Sequence, residues 1–440
     1  MCGPRRAWRN RSSDDEFAIE RNPQVSQTSG FAPRYHGSIS PTRPPYQLVP
    51  YQLDAFETAT GYVGGTDPDV PPLAKDAHEG KSPLEALEAA VLPALSRPPC
   101  LVVFSGGRDS SAVLAVATAV ARRSGLPDPV PATNRFRGSP AAEETEWQEL
   151  VVRHLGLTDW HVLDWDDELD VIGPVAQQVL SRWGPVYPHN AHFGIPLLRA
   201  ARGGSALTGV GGDQIFVVGQ TLRLARLLTF KQRPRLRDWR TLAGAVTPRS
   251  IRQHRWQKGL TALPWLTETA NRRFSETLTR DMAIDPIWFA STVRGPVWRE
   301  RSRVATEQTL GALCRDIDVS MGHPLEDPGF LAALASALPR TGYRTRDQAM
   351  TALFGHLLPA TLLQRHTKAA FNEAFFNAHS RQFAENWDGQ GLDPAFVDAK
   401  QLRETWLAES VDARSLSALQ GAWAARQFAG SSLAAYHKDA

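Results

Sequence analysis

The stretch that decides the fold is Cys100-Leu-Val-Val-Phe104, followed directly by Ser105-Gly-Gly-Arg-Asp-Ser-Ser111. Its apolar, β-branched first part predicts a short buried strand. Gly106 and Gly107 then allow a tight turn with exposed amide groups. Asp109-Ser-Ser is expected to open a helix that runs from Ala112 to Arg123. A glycine-bearing loop between a strand and a helix N-terminus offers amide donors and the positive end of a dipole, so we predict a phosphate-binding loop here.

The composition is that of a globular protein with room for one large core or two ordinary ones: 440 residues, 42% hydrophobic and 22% charged. The net charge of +3 does not require a nucleic-acid partner, and we expect none. The cysteines, Cys2, Cys100 and Cys314, show no CxxC spacing, which favours the reducing cytoplasm and predicts no structural zinc site. No apolar run approaches the roughly 20 residues of a membrane span, so we expect no membrane partner.

Residues 1–80 are predicted to be disordered or a small N-terminal remnant. Residues 1–45 are rich in Arg, Ser and Pro without a hydrophobic period, which favours disorder. One or two strands are expected around Tyr46 to Phe56. Ser82, followed three residues later by Glu85, is a capping pattern that predicts a helix to about Ser96. The main domain is therefore expected to span 81–440.

Strands and helices are predicted to alternate after the first loop. The expected strands are Pro129 to Phe136, Trp160 to Trp165 and Ala206 to Thr208, and the expected helices are Glu143 to His154, Val171 to Trp183 and Phe193 to Ala201. This spacing predicts an α/β core over about 81–220, with a parallel sheet and helices on both faces. Ligands bind such sheets at the carboxyl ends of the strands, where the loops after Phe104 and Thr208 would both lie.

The second loop, Thr208-Gly-Val-Gly-Gly-Asp213, is also rich in glycine. Its glycines allow a ligand to approach the backbone closely, and Asp213 offers an oxygen ligand for Mg²⁺. A metal held by Asp109 and Asp213 would neutralise charge on a pyrophosphate group. One such turn alone is most simply a chain reversal. Two of them, each with an aspartate and each after a strand, predict a nucleotide site.

Residues 221–440 are predicted to be mostly helical. The segment 221–275 is basic and interleaved with tryptophans, which most often indicates a solvated helical face and otherwise a surface for an acidic peptide, a carrier or nucleic acid. Pro324-Leu-Glu-Asp327 lies in a loop before a predicted helix, Phe330 to Leu338. A further helix, Thr345 to Leu358, has Arg344 and Arg346 near its start and precedes Arg365-His-Thr-Lys-Ala-Ala-Phe371.

The span from about 80 to 380 resembles the synthetase domain of the asparagine synthetase family, which includes β-lactam synthetases and lasso-peptide cyclases. Four motifs match in order: Ser105–Ser111, Thr208–Asp213, Pro324–Asp327 and Arg365–Phe371. The resemblance implies an α/β fold with a parallel sheet, of the adenine-nucleotide α-hydrolase-like type found in PP-loop ATP pyrophosphatases, with a largely helical C-terminal part.

The resemblance also implies ATP and Mg²⁺ as cofactors. A substrate carboxylate would attack the α-phosphate of ATP, and an amine would then attack the acyl-adenylate, expelling AMP and forming an asparagine, lactam or macrolactam amide. Lys368, Asp109 and Asp213 are the implied catalytic residues, and Asp109 and Asp213 the implied metal ligands. The implied nucleotide-binding residues are Phe104, Ser105, Gly106, Gly107, Asp109, Ser110, Ser111, Thr208, Gly209, Gly211 and Gly212.

Three departures from the family pattern leave the substrates open. The segment before the first loop is too short for a glutaminase domain, so the amine is expected to be free ammonia, partner-supplied ammonia or an amino group of the substrate. Val210 stands where asparagine synthetases carry Glu and β-lactam synthetases a Tyr of a base dyad. Gln214 replaces the usual Glu after Asp213.

Two alternatives follow from the same residues. Val210 and Gln214 also fit a catalytically altered, nucleotide-binding partner protein. A tRNA-modifying PP-loop enzyme shares the first loop, and the basic segment 221–275 would suit it, but the second loop and the Lys368 motif fit it poorly.

Overall fold

A computed structural model describes residues 49–216, 249–257, 260–284, 288–338, 342–343, 345–367 and 369–428. Five strands form one parallel sheet in the order β3-β2-β1-β4-β5. They are β1 (Cys100–Val103), β2 (Val130–Phe136), β3 (His161–Trp165), β4 (Ser205–Leu207) and β5 (Ser320–Gly322). The parallel α/β fold with a helical C-terminal part is thus confirmed.

The helices of the described residues lie before, between and after these strands. In chain order they are α1 (Ala55–Thr60), α2 (Pro83–Leu95), α3 (Arg108–Arg123), α4 (Thr145–Leu155), α5 (Pro174–Trp183), α6 (Ile195–Arg199), α7 (Gly212–Phe216), α8 (Arg249–Gln257), α9 (Glu268–Ile284), α10 (Phe289–Thr292), α11 (Arg301–Asp316), α12 (Pro328–Ala337), α13 (Arg346–Phe354), α14 (Ala360–Leu363), α15 (Asn372–Phe375), α16 (Ala378–Asn386), α17 (Ala399–Trp406) and α18 (Leu416–Gln427).

The central strand β1 is buried on both faces, as expected of a parallel sheet covered by helices. Val102 and the following Phe104 pack into a core with α2, α3, α12 and α13. Leu101 points to the opposite face, where it joins a smaller core with α6 and the end of α11. The uninterrupted apolar run of β1 is the physical reason for its central place, because each alternate side chain meets a covered face.

The strands β2 and β3 and the helices α2 and α4 lie where the sequence predicted them. The helix α3 differs, because it begins at Arg108 rather than Ala112. Extended Gly107 takes the capping position, so Asp109, Ser110 and Ser111 form the first helical turn. The strand β4 ends at Leu207, so that Thr208 already belongs to the loop.

The sheet is not confined to residues 81–220, because β5 comes from residues 320–322 and pairs with β4. Its sequence, Ser-Met-Gly, has no β-branched residue and therefore gave no strand signal. The pairing places the Pro324–Asp327 motif, a 3₁₀ turn followed by α12, next to the second loop.

The strand expected around Tyr46 to Phe56 is wrong for its described part. Gln52 makes a single bridge to Val186, and α1 begins at Ala55 because Asp54 and Glu57 form a reciprocal capping box. The same segment packs onto the domain: Phe56 joins the core of the C-terminal helices α16, α17 and α18, and Leu73 joins the core around α3. The disorder predicted for residues 1–45 lies outside the described residues, as does most of the basic segment 221–275.

Candidate active site

The two predicted loops meet at the carboxyl edge of the sheet. The strands β1 and β4 are direct neighbours, and the chain leaves β1 for β2 on one side while β4 lies on the other. A crevice outside the strand ends at such a point of reversal is where open α/β sheets bind their ligands. The fold therefore brings the loop after Phe104 and the loop after Leu207 to the place expected of a ligand site.

The first loop is built by glycine conformation and serine hydrogen bonds. Gly106 has a φ of 84°, a left-handed conformation that glycine tolerates best. The Ser111 hydroxyl donates to the Gly107 carbonyl at 2.7 Å, and the Ser105 amide donates to Ser110 Oγ at 3.3 Å. The buried hydroxyls of Ser110 and Ser111 thus hold the loop in shape.

The N-terminus of α3 has the character of an anion site. Its cap residue is Gly107, which supplies no side-chain acceptor. Among the described residues, the amide groups of the first turn therefore face the loop without a capping side chain, at the positive end of a 16-residue helix. This arrangement suits a phosphate group.

The second loop packs directly against the first. A side chain at Gly209 would lie 2.6 Å from the Ser110 amide nitrogen, and one at Gly212 would overlap the Asp109 carboxylate. Both glycines are therefore required for the close approach of the two loops. Thr208 holds the second loop in place through two hydrogen bonds. Its hydroxyl lies 2.6 Å from His323 Nδ1 and accepts from the Val210 amide at 3.3 Å.

The two predicted metal ligands are held together by an arginine. Arg346, the first residue of α13, donates to Asp109 Oδ2 at 2.5 Å through one guanidinium nitrogen and to Asp213 Oδ1 through another. Burial raises the pKa of Asp109, Arg346 opposes that shift and Asp213 adds to it. The structure thus brings the side chains of Asp109 and Asp213 together, with the Arg346 guanidinium between them.

The residues present fit a divalent cation. Among the described residues, Asp109 Oδ1 is buried and has no hydrogen-bond partner, and a carboxylate oxygen of this kind is a preferred ligand of Mg²⁺. Asp213 is the more exposed of the two, with 59% of its side chain accessible against 16% for Asp109. Two carboxylates with an open side suit an ion that also binds phosphate oxygens.

A buried carboxyl group lies on the far side of the second loop. Glu326 is 8% exposed, and its side chain fills the space that a Cβ at Gly211 would occupy. Burial raises its pKa to about 7, Arg303 opposes the shift, and Glu307 and Glu300 add to it. Glu326 can therefore exchange a proton near neutral pH, which sequence reasoning did not indicate.

The raised pKa of Glu326 predicts a pH-dependent stability difference between the wild type and Glu326→Gln. The folded state favours the protonated Glu326 side chain. The stability that this carboxyl group contributes is therefore fully present below about pH 4.5 and is lost as the pH rises through about 7. The free energy of unfolding of Glu326→Gln, measured relative to that of the wild type, should rise by up to about 3 kcal/mol between pH 4.5 and pH 8. Urea unfolding of both proteins at the two pH values measures this. An equal difference at both pH values would contradict the assignment.

Arg365, three residues before Lys368, is held at the N-terminus of α4, next to the first loop, by a buried ion pair. Arg365 donates both terminal nitrogens to the Glu144 carboxylate, and each side chain is about 6% exposed or less. The Arg365 guanidinium also lies over the Trp147 ring at 4.6 Å. Beyond Lys368, the Ala370 amide donates to Ala141 at 2.9 Å. Arg365 and Ala370, on either side of Lys368, thus contact residues 141–147, which lie against Gly106.

Lys368 itself lies outside the described residues, so its role stays a prediction. Three side chains that the sequence did not single out belong to the site or support it: Arg346, Glu326 and Glu144. The signals for them were weak, since Arg346 appeared only as a basic residue near a helix start. Phe104, the glycines and Asp109 and Asp213 all lie where the two loops converge.

The family model described as asparagine synthase matches residues 84–429 of this chain. This range includes all five strands, both loops and the Arg365–Phe371 motif. No curated protein matches the chain in sequence. Within the described part of the chain, every helix is too short or too polar to span a membrane.

Proposed function

This chain belongs to the asparagine synthase family of ATP-dependent carbon–nitrogen ligases, and we propose that it adenylates a substrate carboxylate and passes the acyl group to an amine. The products would be AMP, pyrophosphate and an amide in an asparagine, lactam or macrolactam. The observation that carries the proposal is the convergence of Asp109, in the first turn of α3, with Asp213 of the second loop. A phosphate-binding loop beside a pair of carboxylates is the arrangement expected of a site that cleaves ATP to AMP and pyrophosphate.

The chain's own groups account for the first chemical step. Attack of a carboxylate oxygen on the α-phosphorus increases negative charge on the phosphate oxygens. The amides of the first loop and the dipole of α3 stabilise that charge without having to move. Mg²⁺, held by Asp109 and Asp213, would neutralise the leaving pyrophosphate. Fixing the carboxylate next to the α-phosphate adds the gain of proximity.

Lys368 is proposed to contact the same phosphates as a flexible point charge. Lys368→Ala should lower turnover by about 10²-fold or more, the usual cost of removing one electrostatic contact to a transition state, with a smaller effect on ATP affinity. Pyrophosphate release and equilibrium ATP binding measure the two effects. The exposed Lys400 of α17 offers a matched control, and Lys400→Ala should retain full activity. Full activity in Lys368→Ala would contradict the assignment.

The second step needs an uncharged amine, and Val210 cannot accept its proton. We propose that the amine is free ammonia, ammonia from a partner or an amino group of the substrate, and that it arrives deprotonated or loses its proton to another group. Glu326 is the proposed acceptor in the latter case, because it lies beside Gly211 and its pKa is about 7. We place the reaction in the cytoplasm, which suits the free thiols of Cys100 and Cys314.

The test uses the full chain with Mg²⁺-ATP and a panel of amino acids, N-acylated amino acids and short peptides, with and without ammonium. The expected result is AMP and pyrophosphate in equal amounts with a competent carboxylate. Formation of ADP and phosphate would contradict adenylation. A matched Asp109→Asn protein identifies contaminating ATPase activity, because it should lack the specific signal.

A nucleotide-binding partner protein is the second candidate. It is favoured by Val210 and by Gln214, whose amide donates to Glu300 at 3.1 Å rather than serving the carboxylate pair. A glutamate at this position would face Glu300 with like charge, so the substitution suits the local contacts. This candidate predicts ATP binding without turnover across the whole panel. Bulk tRNA in a gel shift tests the less favoured tRNA-modifying function.

A further inference from the structure

The guanidinium of Arg346 links the first turn of α3 to the second loop. Its contacts join residues far apart in the chain, since Asp109 and Asp213 are 237 and 133 positions away. None of the four motifs that define the family resemblance contains it. Its place between two proposed metal ligands sets it apart from an ordinary surface arginine, and its side chain is 16% exposed.

The arrangement leaves two buried polar atoms without a hydrogen bond among the described residues. Arg346 donates to both carboxylates, Asp109 and Asp213, through its two terminal nitrogens. Within the described residues, Arg346 Nε is buried without an acceptor, and Asp109 Oδ1 is buried without a donor. Unpaired buried donors and acceptors are disfavoured. A divalent cation would satisfy the carboxylates, and an anion would satisfy the guanidinium.

The backbone around Arg346 is anchored, whereas its side chain has several rotatable bonds. Thr345 caps α13 by accepting from the Gln348 amide at 3.1 Å. The neighbouring Asp347 pairs with Arg108 of α3 at 2.6 Å, and Arg108 also donates to the Leu363 carbonyl at 3.2 Å. The guanidinium can therefore leave the two aspartates while α13 stays in place beside the phosphate loop.

We propose that Arg346 is a displaceable counter-ion: a divalent cation complexed with a polyphosphate takes its place between Asp109 and Asp213, and the freed guanidinium binds the phosphate. The two charges of the cation replace the single charge of arginine. The site then rejects a divalent cation alone and accepts the cation together with its phosphate. That this polyphosphate belongs to ATP rests on the proposed function. The exchange of the guanidinium for a cation does not.

The first experiment measures binding of Mn²⁺ alone to the full chain by electron paramagnetic resonance, without nucleotide. Arg346→Gln should bind Mn²⁺ at least about tenfold more tightly than wild type, because a competing charge is removed. Arg346→Gln combined with Asp109→Asn should lose the gain. The exposed Arg123 at the other end of α3 is the matched control, and Arg123→Gln should bind Mn²⁺ as wild type does.

The second experiment measures binding of inorganic pyrophosphate with Mg²⁺ by calorimetry. Here Arg346→Gln should bind at least about tenfold more weakly, because a phosphate ligand is lost. Arg346→Lys keeps the charge but lacks the two separate terminal nitrogens with which arginine reaches both carboxylates. Its Mn²⁺ affinity should therefore lie between those of the wild type and Arg346→Gln, and it provides a second variant if Arg346→Gln does not fold. Unchanged Mn²⁺ affinity in both variants, or unchanged pyrophosphate affinity, would overturn the proposal.

The outcome is independent of the amide chemistry. Neither experiment includes a carboxylate or an amine, so a failure of counter-ion exchange appears as a binding result. A failure of the proposed function would instead appear as ADP formation or as absence of turnover with the carboxylate panel.

Discussion

Replacing Asp109 by Asn is expected to lower pyrophosphate release from ATP by about 10³-fold while leaving the fold intact. The carboxylate contributes charge at the proposed metal position, and such an ion stabilises the transition state by several kcal/mol. Asparagine has nearly the same volume, so it fits the space provided by Gly212. Because burial raises the pKa of Asp109, a neutral replacement is tolerated in the folded state.

The measurement combines a pyrophosphate-release assay with thermal unfolding. Asp213→Asn is expected to abolish release as well, since the pair acts together. Asp128, which pairs with Arg122 at the far end of α3, is the matched control, and Asp128→Asn should keep wild-type activity. Release above a tenth of the wild-type rate in both Asp109→Asn and Asp213→Asn would remove the carboxylate pair from the mechanism.

Replacing Arg365 by Met is expected to lower the free energy of unfolding by about 3–5 kcal/mol, the usual cost of leaving one partner of a buried ion pair uncompensated. Glu144 would lose both guanidinium contacts in a largely water-free position. We also expect reduced turnover, because Arg365 fixes the backbone before Lys368 at the N-terminus of α4, next to the first loop. Arg365 is thus a positioning residue.

A double-mutant cycle measures the coupling free energy between Arg365 and Glu144, apart from the contacts that each residue makes with its surroundings. Glu144→Leu combined with Arg365→Met should recover much of the stability lost in Arg365→Met, because no charge remains buried. Turnover should stay low in the double variant, which a purely structural role would not predict. The Arg122–Asp128 pair, exposed on both sides, serves as comparison, and its coupling free energy should not exceed about 1 kcal/mol. Equal coupling in the two pairs would contradict the account.

The first loop and its strand could be predicted because their signals are local. A run of apolar residues, two glycines and a helix start lie within a dozen positions, and the strand alternation of Leu101 and Val102 matches the two covered faces. The second loop was predictable for the same reason. The family motifs then indicated that both loops serve one site, and the pairing of β1 with β4 brings them together.

The remaining parts of the site depend on contacts between distant residues. Arg346 reaches Asp109 across 237 positions, and Arg365 reaches Glu144 across 221. No local period or propensity encodes such pairs. Glu326 acquires its raised pKa from burial beneath Gly211, which only the assembled fold provides. The strand β5 was missed because three residues without β-branched side chains carry almost no strand signal.

In the proposed reaction, a substrate carboxylate oxygen attacks the α-phosphorus of ATP. Transfer of ¹⁸O tests it directly, with a carboxylate that supports turnover labelled at both oxygens and the products analysed by mass spectrometry. Adenylation predicts one ¹⁸O atom in AMP and none in pyrophosphate, because the bridging oxygen leaves with AMP when the amine attacks. Label in inorganic phosphate, formed together with ADP, would show attack on the γ-phosphorus and contradict the account.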